Sequence, residues 1–123
     1  MVLASALASA HDAGAWVVVV GNGLAGLWAL AAARWPRFRH RTFWWFTGGA
    51  QVAVFVEVIL GVWLMAGHDI EAPQFHTFYG FLCIIAVGII HSYRQQLKHR
   101  LYLLYGLGGL FVMGLAIRAL LLK

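Results

Sequence analysis

Four long apolar segments, separated by short polar or basic stretches, occupy most of this 123-residue chain. They run from about residue 13 to 33, 43 to 67, 75 to 93 and 101 to 122. Each is close to the roughly 20 residues that an α-helix needs to cross a bilayer core. With 63% hydrophobic and only 11% charged residues, the chain has too little polar surface to cover a water-soluble globule. We therefore expect residues 1–123 to form a single integral membrane domain, with the lipid bilayer around it.

Helices are the structure that these four segments can form in lipid. An open sheet would leave its edge N–H and C=O groups unpaired in hydrocarbon, and four strands cannot close a barrel. The predicted fold class is all-α: a four-helix transmembrane bundle with short loops. Because the loops are short, we expect consecutive helices to be antiparallel neighbours.

The basic residues indicate how the bundle is oriented. Most of the nine Lys and Arg residues lie in the first and third connections, whereas Asp12, Asp69 and Glu71 lie at the opposite ends of the segments. Basic loops stay in the cytoplasm, so both termini are expected on the non-cytoplasmic side of a bacterial inner membrane. The same distribution accounts for the net charge of +5 without nucleic acid as a partner. The basic loop residues are Arg34, Arg37, Arg39, Arg41, Arg94, Lys98 and Arg100.

Small residues recur along the first two segments. Residues 21–26 match the GxGxxG pattern of dinucleotide-binding loops. That pattern requires a soluble βαβ unit and an acidic residue about 20 positions later, and residues 41–47 contain no acid. Helix packing explains the small residues better, because rows of Gly and Ala let membrane helices approach closely. One row is Gly21, Ala25, Ala29 and Ala33, and a second is Gly49, Ala53, Glu57 and Gly61.

Glu57 is an acidic residue inside an apolar segment. An ionised acid at that depth is costly, so we expect it to be protonated, paired or beside water, and it is a candidate functional group. Counting about 1.5 Å per residue from the outer boundaries places Glu57 and Asn22 at similar depths. Two roles remain open. Glu57 either forms a structural hydrogen bond with Asn22 or Gln51, or titrates in a small proton- or cation-coupled transporter whose path these two residues line.

Six histidines in so short a chain indicate a possible cofactor. Haem in a membrane bundle is held between imidazoles from facing helices. His76 and His91 lie 15 residues apart on the third segment, about 22 Å along a helix, so this helix could serve two stacked haems. The outer boundary is expected to hold His11, His68 and His76, and the inner boundary His40, His91 and His99.

The segment from His76 to Arg94 resembles the third helix of membrane b-type cytochromes of the b561 kind. In those proteins histidines at the helix ends bind haem, and a nearby glycine makes room for the ring. The resemblance implies haem b as a cofactor, His76 and His91 as ligands, and Gly80 as the glycine that faces the ring. It covers about a sixth of the chain.

The second ligand of each haem would come from outside the predicted spans, which departs from the family pattern. On the outer side the partner of His76 would be His11 or His68. On the inner side the partner of His91 would be His40 or His99.

Three functional hypotheses follow from these features. The leading one is a small non-enzymatic subunit of a larger bacterial membrane complex, respiratory or otherwise energy-transducing, which binds other membrane subunits or itself through its small-residue rows. The alternatives are a haem b cytochrome that exchanges electrons with quinone, and a transporter that uses Glu57. We predict no catalytic and no metal-binding residues, because Cys83 is the single cysteine and no nucleophile–base pair, phosphate loop or zinc spacing occurs in the sequence.

The orientation can be tested with single cysteines in a Cys83→Ala background. A cysteine in place of Lys98 should react with a membrane-impermeant maleimide only after cells are opened, because the basic loops face the cytoplasm. A cysteine in place of Glu71 should react in intact spheroplasts. Labelling of the Lys98→Cys variant from outside would reverse the predicted topology.

Overall fold

A computed structural model describes residues 2–123, which fold into four α-helices. They are α1 (Val2–Arg34), α2 (Arg41–Gly67), α3 (Gln74–Ser92) and α4 (Leu101–Leu121). Short 3-10 turns at Pro36–Phe38 and Lys98–Arg100 precede α2 and α4, and residues 2–123 contain no strand. All four helices are long and apolar enough to cross a membrane. The predicted all-α, four-helix architecture is confirmed.

The helix ends agree closely with the predicted segments except at the start of the chain. The first apolar segment was expected to begin near residue 13, but α1 already begins at Val2. Leu7 in this added length is buried, so the extension packs on the other helices. The extension also places His11 inside a helix, where the sequence analysis expected a boundary.

The first connection is held by hydrogen bonds to the end of α1. Arg39 donates from Nε to the carbonyl oxygen of Ala32 at 2.8 Å, a carbonyl that the last turn of a helix leaves without a backbone partner. Trp28 donates from Nε1 to the carbonyl oxygen of Phe38 at 2.8 Å. These two bonds fix a tight turn, so α2 returns antiparallel to α1.

The helices do not form a simple square. α1 packs against both α2 and α4, and α4 packs against α3, but α2 and α3 touch at few points. The side-chain hydrogen bonds between them join His91 to Gln51 at 2.7 Å and Thr77 to the Met65 sulfur at 3.7 Å. The prediction that consecutive helices are neighbours is therefore correct for α1–α2 and α3–α4, but wrong for most of the length of α2 and α3.

The two ends of the bundle differ. The basic end holds both 3-10 turns and the arginine-rich connections. The cavity end holds the start of α1, the end of α4 and the α2–α3 connection, residues 68–73. The distinction matters because the polar side chains form separate clusters at the two ends.

Glycines allow the close approach of α1 and α4. A Cβ atom added to Gly26 would lie 2.9 Å from the carbonyl oxygen of Gly106, and one added to Gly109 would lie 3.0 Å from the Cα of Gly26. These neighbours are backbone atoms and cannot move aside, so only glycine fits. Direct backbone contact of this kind gains van der Waals energy between membrane helices. Because of this contact α1 packs against α4, and not against α3, as its second neighbour beside α2.

The first predicted row of small residues is largely in helix contact. Ala25 and Ala29 are buried, and a Cβ on Gly21 would lie 3.5 Å from the Cβ of Ala50 on α2. Ala33, which lies one residue before the end of α1, is exposed. The row therefore contributes to packing as predicted, over three of its four members.

The second row contacts α1 only toward the cavity end. Gly61 lies against the ring of His11, and Glu57 lies against Gly14. A Cβ added to Gly49 would meet no atom within 4 Å. The expectation that the whole row faces a close helix contact is wrong at Gly49, because Gly49 lies on an exposed face of α2 while the neighbouring Ala50 makes the contact with α1.

The outside of the bundle is as apolar as its interior. Trp16, Ile59 and Phe111 are 60%, 63% and 61% exposed. A helix that is apolar on all faces is typical of a membrane span, since lipid can cover the face that other helices leave open. These surfaces fit a multi-pass membrane protein.

Replacing Gly109 with Ala should lower the free energy of unfolding by about 1–3 kcal/mol, because the added methyl group overpacks the α1–α4 contact. Gly114→Ala is the matched control, since a Cβ there would meet no atom within 4 Å. Chemical unfolding in detergent micelles, followed by circular dichroism, measures the difference. Equal stability of the two variants would contradict the proposed close crossing.

Candidate functional site

A cavity of about 430 Å³ lies at the cavity end, where α2 and α3 separate. All four helices contribute to its wall, together with part of the α2–α3 connection. The wall is mainly apolar, with a small set of polar groups, which is the pattern typical of ligand pockets. Those polar side chains are His11, Asp12, Glu57, Glu71, His76, Thr77 and Lys123.

His76 occupies the first turn of α3, and its ring is anchored to α4. Its Nδ1 atom lies 2.7 Å from the carbonyl oxygen of Ala119. A carbonyl oxygen can only accept, so Nδ1 carries the proton and Nε2 of the neutral ring keeps its lone pair. Proteins commonly orient metal-binding histidines by such a bond from the other ring nitrogen. His76 therefore has the form of a prepared ligand.

His11 pairs with the intramembrane acid. Its Nδ1 lies 3.2 Å from Oε2 of Glu57, and the two side chains are 20% and 12% exposed. The two groups are close but not aligned as a hydrogen bond, so His11 Nδ1 is buried without a hydrogen-bond partner among residues 2–123, and so is the other carboxylate oxygen, Glu57 Oε1. Buried polar atoms without partners are uncommon, so this part of the wall is not fully satisfied by the protein alone.

Two glycines make room for the His11–Glu57 pair. A Cβ added to Gly61 would lie 3.1 Å from the His11 ring, and one added to Gly14 would collide with the Glu57 carboxylate. A larger residue at either position would displace one member of the pair. The backbones of α1 and α2 are therefore shaped around these two side chains.

The structure brings His11 and His76 together. Their ring centroids are 6.1 Å apart and their planes are nearly perpendicular, at 88°. Of the two partners that the sequence allowed for His76, His68 lies instead beside Trp63, with centroids 6.3 Å apart. Gly80, one turn after His76, also lines the cavity, and a Cβ there would meet nothing within 4 Å. The outer histidine pair thus faces open space.

The side chains of this site do not form a binding site for a bare metal ion. Within residues 2–123, no group of three or more His, Cys, Asp or Glu side chains is arranged to hold a metal ion. Two histidines alone leave an isolated divalent ion short of the four ligands usual at a structural site.

At the basic end, His91 belongs to a hydrogen-bond chain. Arg94 donates to the Tyr105 hydroxyl at 2.7 Å, and that hydroxyl lies 3.2 Å from His91 Nδ1. His91 Nε2 lies 2.7 Å from Oε1 of Gln51, which can only accept. One direction satisfies every group: Arg94 donates to Tyr105, Tyr105 to His91, and His91 to Gln51.

Because both nitrogens of His91 are engaged, this histidine is not prepared as a ligand. His40 precedes α2, and His99 lies in the 3-10 turn before α4. Within residues 2–123 no hydrogen bond or ring contact joins either of them to His91, whose side-chain contacts are with Gln51 and Tyr105. The structure therefore does not assemble the inner histidine pair. His91 instead links α3 to α2 and α4.

Asn22 and Glu57 are not the neighbours that equal depth suggested. The Asn22 side chain donates to the carbonyl oxygens of Val18 at 3.0 Å and Ala50 at 3.2 Å. Glu57 lies against His11 instead. Asn22 does form the expected bond across a helix contact, but to the backbone of α2 rather than to an acid.

Several residues of these clusters were not identified from the sequence. No sequence motif marks Tyr105 or the carbonyl group of Ala119, and Met65 looks in the sequence like an ordinary apolar residue of a membrane span. Arg94 was assigned only to topology. A signal was available for Tyr105, since a tyrosine predicted inside a span needs a partner for its hydroxyl.

Replacing Tyr105 with Phe should lower the free energy of unfolding by about 1–3 kcal/mol, because the change leaves the Arg94 and His91 groups without their shared partner. Tyr102→Phe is the control, since Tyr102 meets Arg39 through its ring, with the guanidinium carbon 5.1 Å from the ring centroid. Thermal unfolding in detergent measures both variants. A Tyr105→Phe protein as stable as the control would show that the hydrogen-bond chain contributes nothing to the stability of the fold.

Comparison with protein-family models, with curated proteins and with solved structures finds no match for this chain. Its function must therefore be argued from the site itself.

Proposed function

We propose that this protein binds haem b between His11 and His76 and serves as a small electron-transfer protein of a membrane. The observation that carries the proposal is the pair itself: two imidazoles from different helices, with centroids 6.1 Å apart, on the wall of one apolar cavity. Imidazoles from different helices are the groups that hold haem in helical bundles, so His11 and His76 would be the residues that hold it here.

The state of His76 supports the same proposal. The Nδ1 atom of His76 is bonded to a carbonyl group, and that of His11 lies beside a carboxylate. The first arrangement leaves Nε2 of His76 as the nitrogen for a metal. In His11 the edge of the ring that carries Nε2 lies against Gly61, so this ring would have to turn to act as a ligand. The cavity volume of about 430 Å³ lies within the range of small-molecule sites, and Gly80 leaves open space in the wall one turn after His76.

When bound, haem would supply a one-electron couple, and the residues of the chain would hold and insulate it. The apolar wall would exclude water from the ring. Lys123 also lines the cavity, where it pairs with Asp12 at 3.5 Å. His11 and His76 would fix the orientation of the cofactor relative to α1 and α3.

The membrane setting follows from the charges. The basic connections favour a cytoplasmic location for the basic end of the bundle, in a bacterial inner membrane. The cavity would then lie toward the non-cytoplasmic face, with both termini. The earlier hypothesis of an accessory subunit of a larger respiratory or energy-transducing complex remains a prediction that is compatible with haem binding.

The transporter hypothesis draws less support from the geometry. It requires Glu57, Asn22 and Gln51 to line one path. Each has a different partner: Glu57 lies beside His11, Asn22 is bonded to Ala50 and Gln51 to His91. A continuous polar path through these three residues is not formed by the described contacts.

Haem binding can be tested by expressing the chain with haem supplied and purifying it in mild detergent. We expect a Soret band with the sharp visible bands of six-coordinate haem. His76→Ala and His11→Ala should each reduce the haem content at least tenfold or abolish the six-coordinate spectrum.

His68→Ala is the matched control, because His68 lies at the same end of the bundle but outside the pair. It should keep the spectrum of the wild-type protein. A wild-type protein without a Soret band, or equal spectra in all three variants, would refute the proposal.

A further inference from the structure

We propose that Glu57 is a positioning residue that lowers the reduction potential of the His11–His76 site through His11. This inference rests on the proposed haem site. It assigns to the intramembrane acid a role that neither a structural hydrogen bond nor proton transport describes. The consequence is a site that favours oxidised iron and gives up an electron readily.

The contact that would carry this effect is present but incomplete. His11 Nδ1 and Glu57 Oε2 are 3.2 Å apart, yet Nδ1 and Glu57 Oε1 are buried without a hydrogen-bond partner among residues 2–123. A ring that turns to direct Nε2 at a metal can also direct its Nδ1–H at the carboxylate. Metal binding and the missing hydrogen bond would then be satisfied by one reorientation.

The helix backbones are built to keep the pair together. Gly14 leaves the space that the Glu57 carboxylate occupies, and Gly61 leaves the space for the His11 ring. Their positions on two different helices mean that α1 and α2 both accommodate the contact. A purely structural hydrogen bond between helices would not require a carboxylate directed at an imidazole on the wall of a cavity.

The two histidines would differ as ligands. The Nδ1–H of His76 is bonded to a neutral carbonyl oxygen, whereas that of His11 would be bonded to a carboxylate. A carboxylate draws the Nδ1 proton more strongly, which makes Nε2 a more basic ligand. A more electron-donating ligand stabilises the higher charge of oxidised iron, and hydrogen bonding around the ligand is among the factors that set such potentials.

Other charged groups near the cavity do not make this contact. Asp12 is paired with Lys123 at 3.5 Å. Glu71 lines the cavity from the α2–α3 connection, and it is exposed. Glu71 therefore gives a control in which a negative charge is removed from the same cavity without removing a group beside His11.

The test is a redox titration of the haem-loaded protein, followed by its absorption spectrum. Glu57→Gln should raise the potential, so that the ratio of reduced to oxidised haem at a fixed ambient potential rises at least tenfold, equivalent to about 59 mV for one electron. Glu57→Asp keeps the charge but moves it away from His11, and should give a smaller rise. Glu71→Gln should leave the ratio within a factor of two of wild type.

The outcomes separate this inference from the proposed function. A Glu57→Gln protein that binds haem with an unchanged potential would overturn the inference and leave haem binding intact, as would equal shifts in the Glu57→Gln and Glu71→Gln proteins. If Glu57→Gln fails to fold, the Glu57→Asp protein decides, and a potential equal to that of wild type overturns the inference. A wild-type protein that binds no haem would overturn both.

Discussion

Direct contact between the backbones of α1 and α4 determines how the rest of the bundle is arranged. Gly26 and Gly109 meet without intervening side chains, so the two helices lie closer than any apolar side chain would permit. In lipid no hydrophobic force draws helices together, and close packing of this kind is a main source of association. With α1 committed to α4 on one side and to α2 on the other, α3 packs on α4 and loses most of its contact with α2. The cavity lies where that contact is missing, with walls from all four helices.

The polar groups follow the same geometry. At the basic end the space between α2 and α3 is bridged by His91 and Gln51. At the cavity end, His11, Glu57 and His76 lie along its wall. Buried polar groups are costly in hydrocarbon, and such residues in a membrane protein usually serve function or pair with each other. At the basic end Arg94, Tyr105, His91 and Gln51 are all hydrogen-bonded, although Oγ1 of Thr47, one turn before Gln51, is buried without a partner in residues 2–123. At the cavity end, buried atoms of both His11 and Glu57 lack partners within the same part of the chain. Of the two clusters, the cavity-end cluster is the one that lines the cavity, and that is the physical reason for proposing ligand binding there and a structural role at the basic end.

The sequence predicted the helices well and their mutual arrangement poorly. Apolar length defines a span, so the four segments could be bounded closely, but length says nothing about which faces meet. Gly26 belonged to neither predicted row of small residues, and the glycines of α4 follow no regular spacing. Depth counting placed Asn22 and Glu57 at one level, yet depth does not fix rotation about the helix axis, and their side chains found different partners. His11 was one of two candidates for the partner of His76. The choice depended on the extension of α1 to Val2, which no periodicity in residues 1–12 indicated.

The hydrogen bonds that join α2 to α3 are stronger at the basic end of the bundle than at the cavity end. The chain from Arg94 through Tyr105 and His91 to Gln51 fastens three helices at one end. At the other end, the corresponding fastening is a weak bond of 3.7 Å between Thr77 and a thioether. Separating α2 from α3 therefore requires less free energy at the cavity end, and local opening occurs where fastening is weakest. The less strongly held part of the contact between α2 and α3 thus lies beside the cavity, at the end opposite the arginine-rich connections.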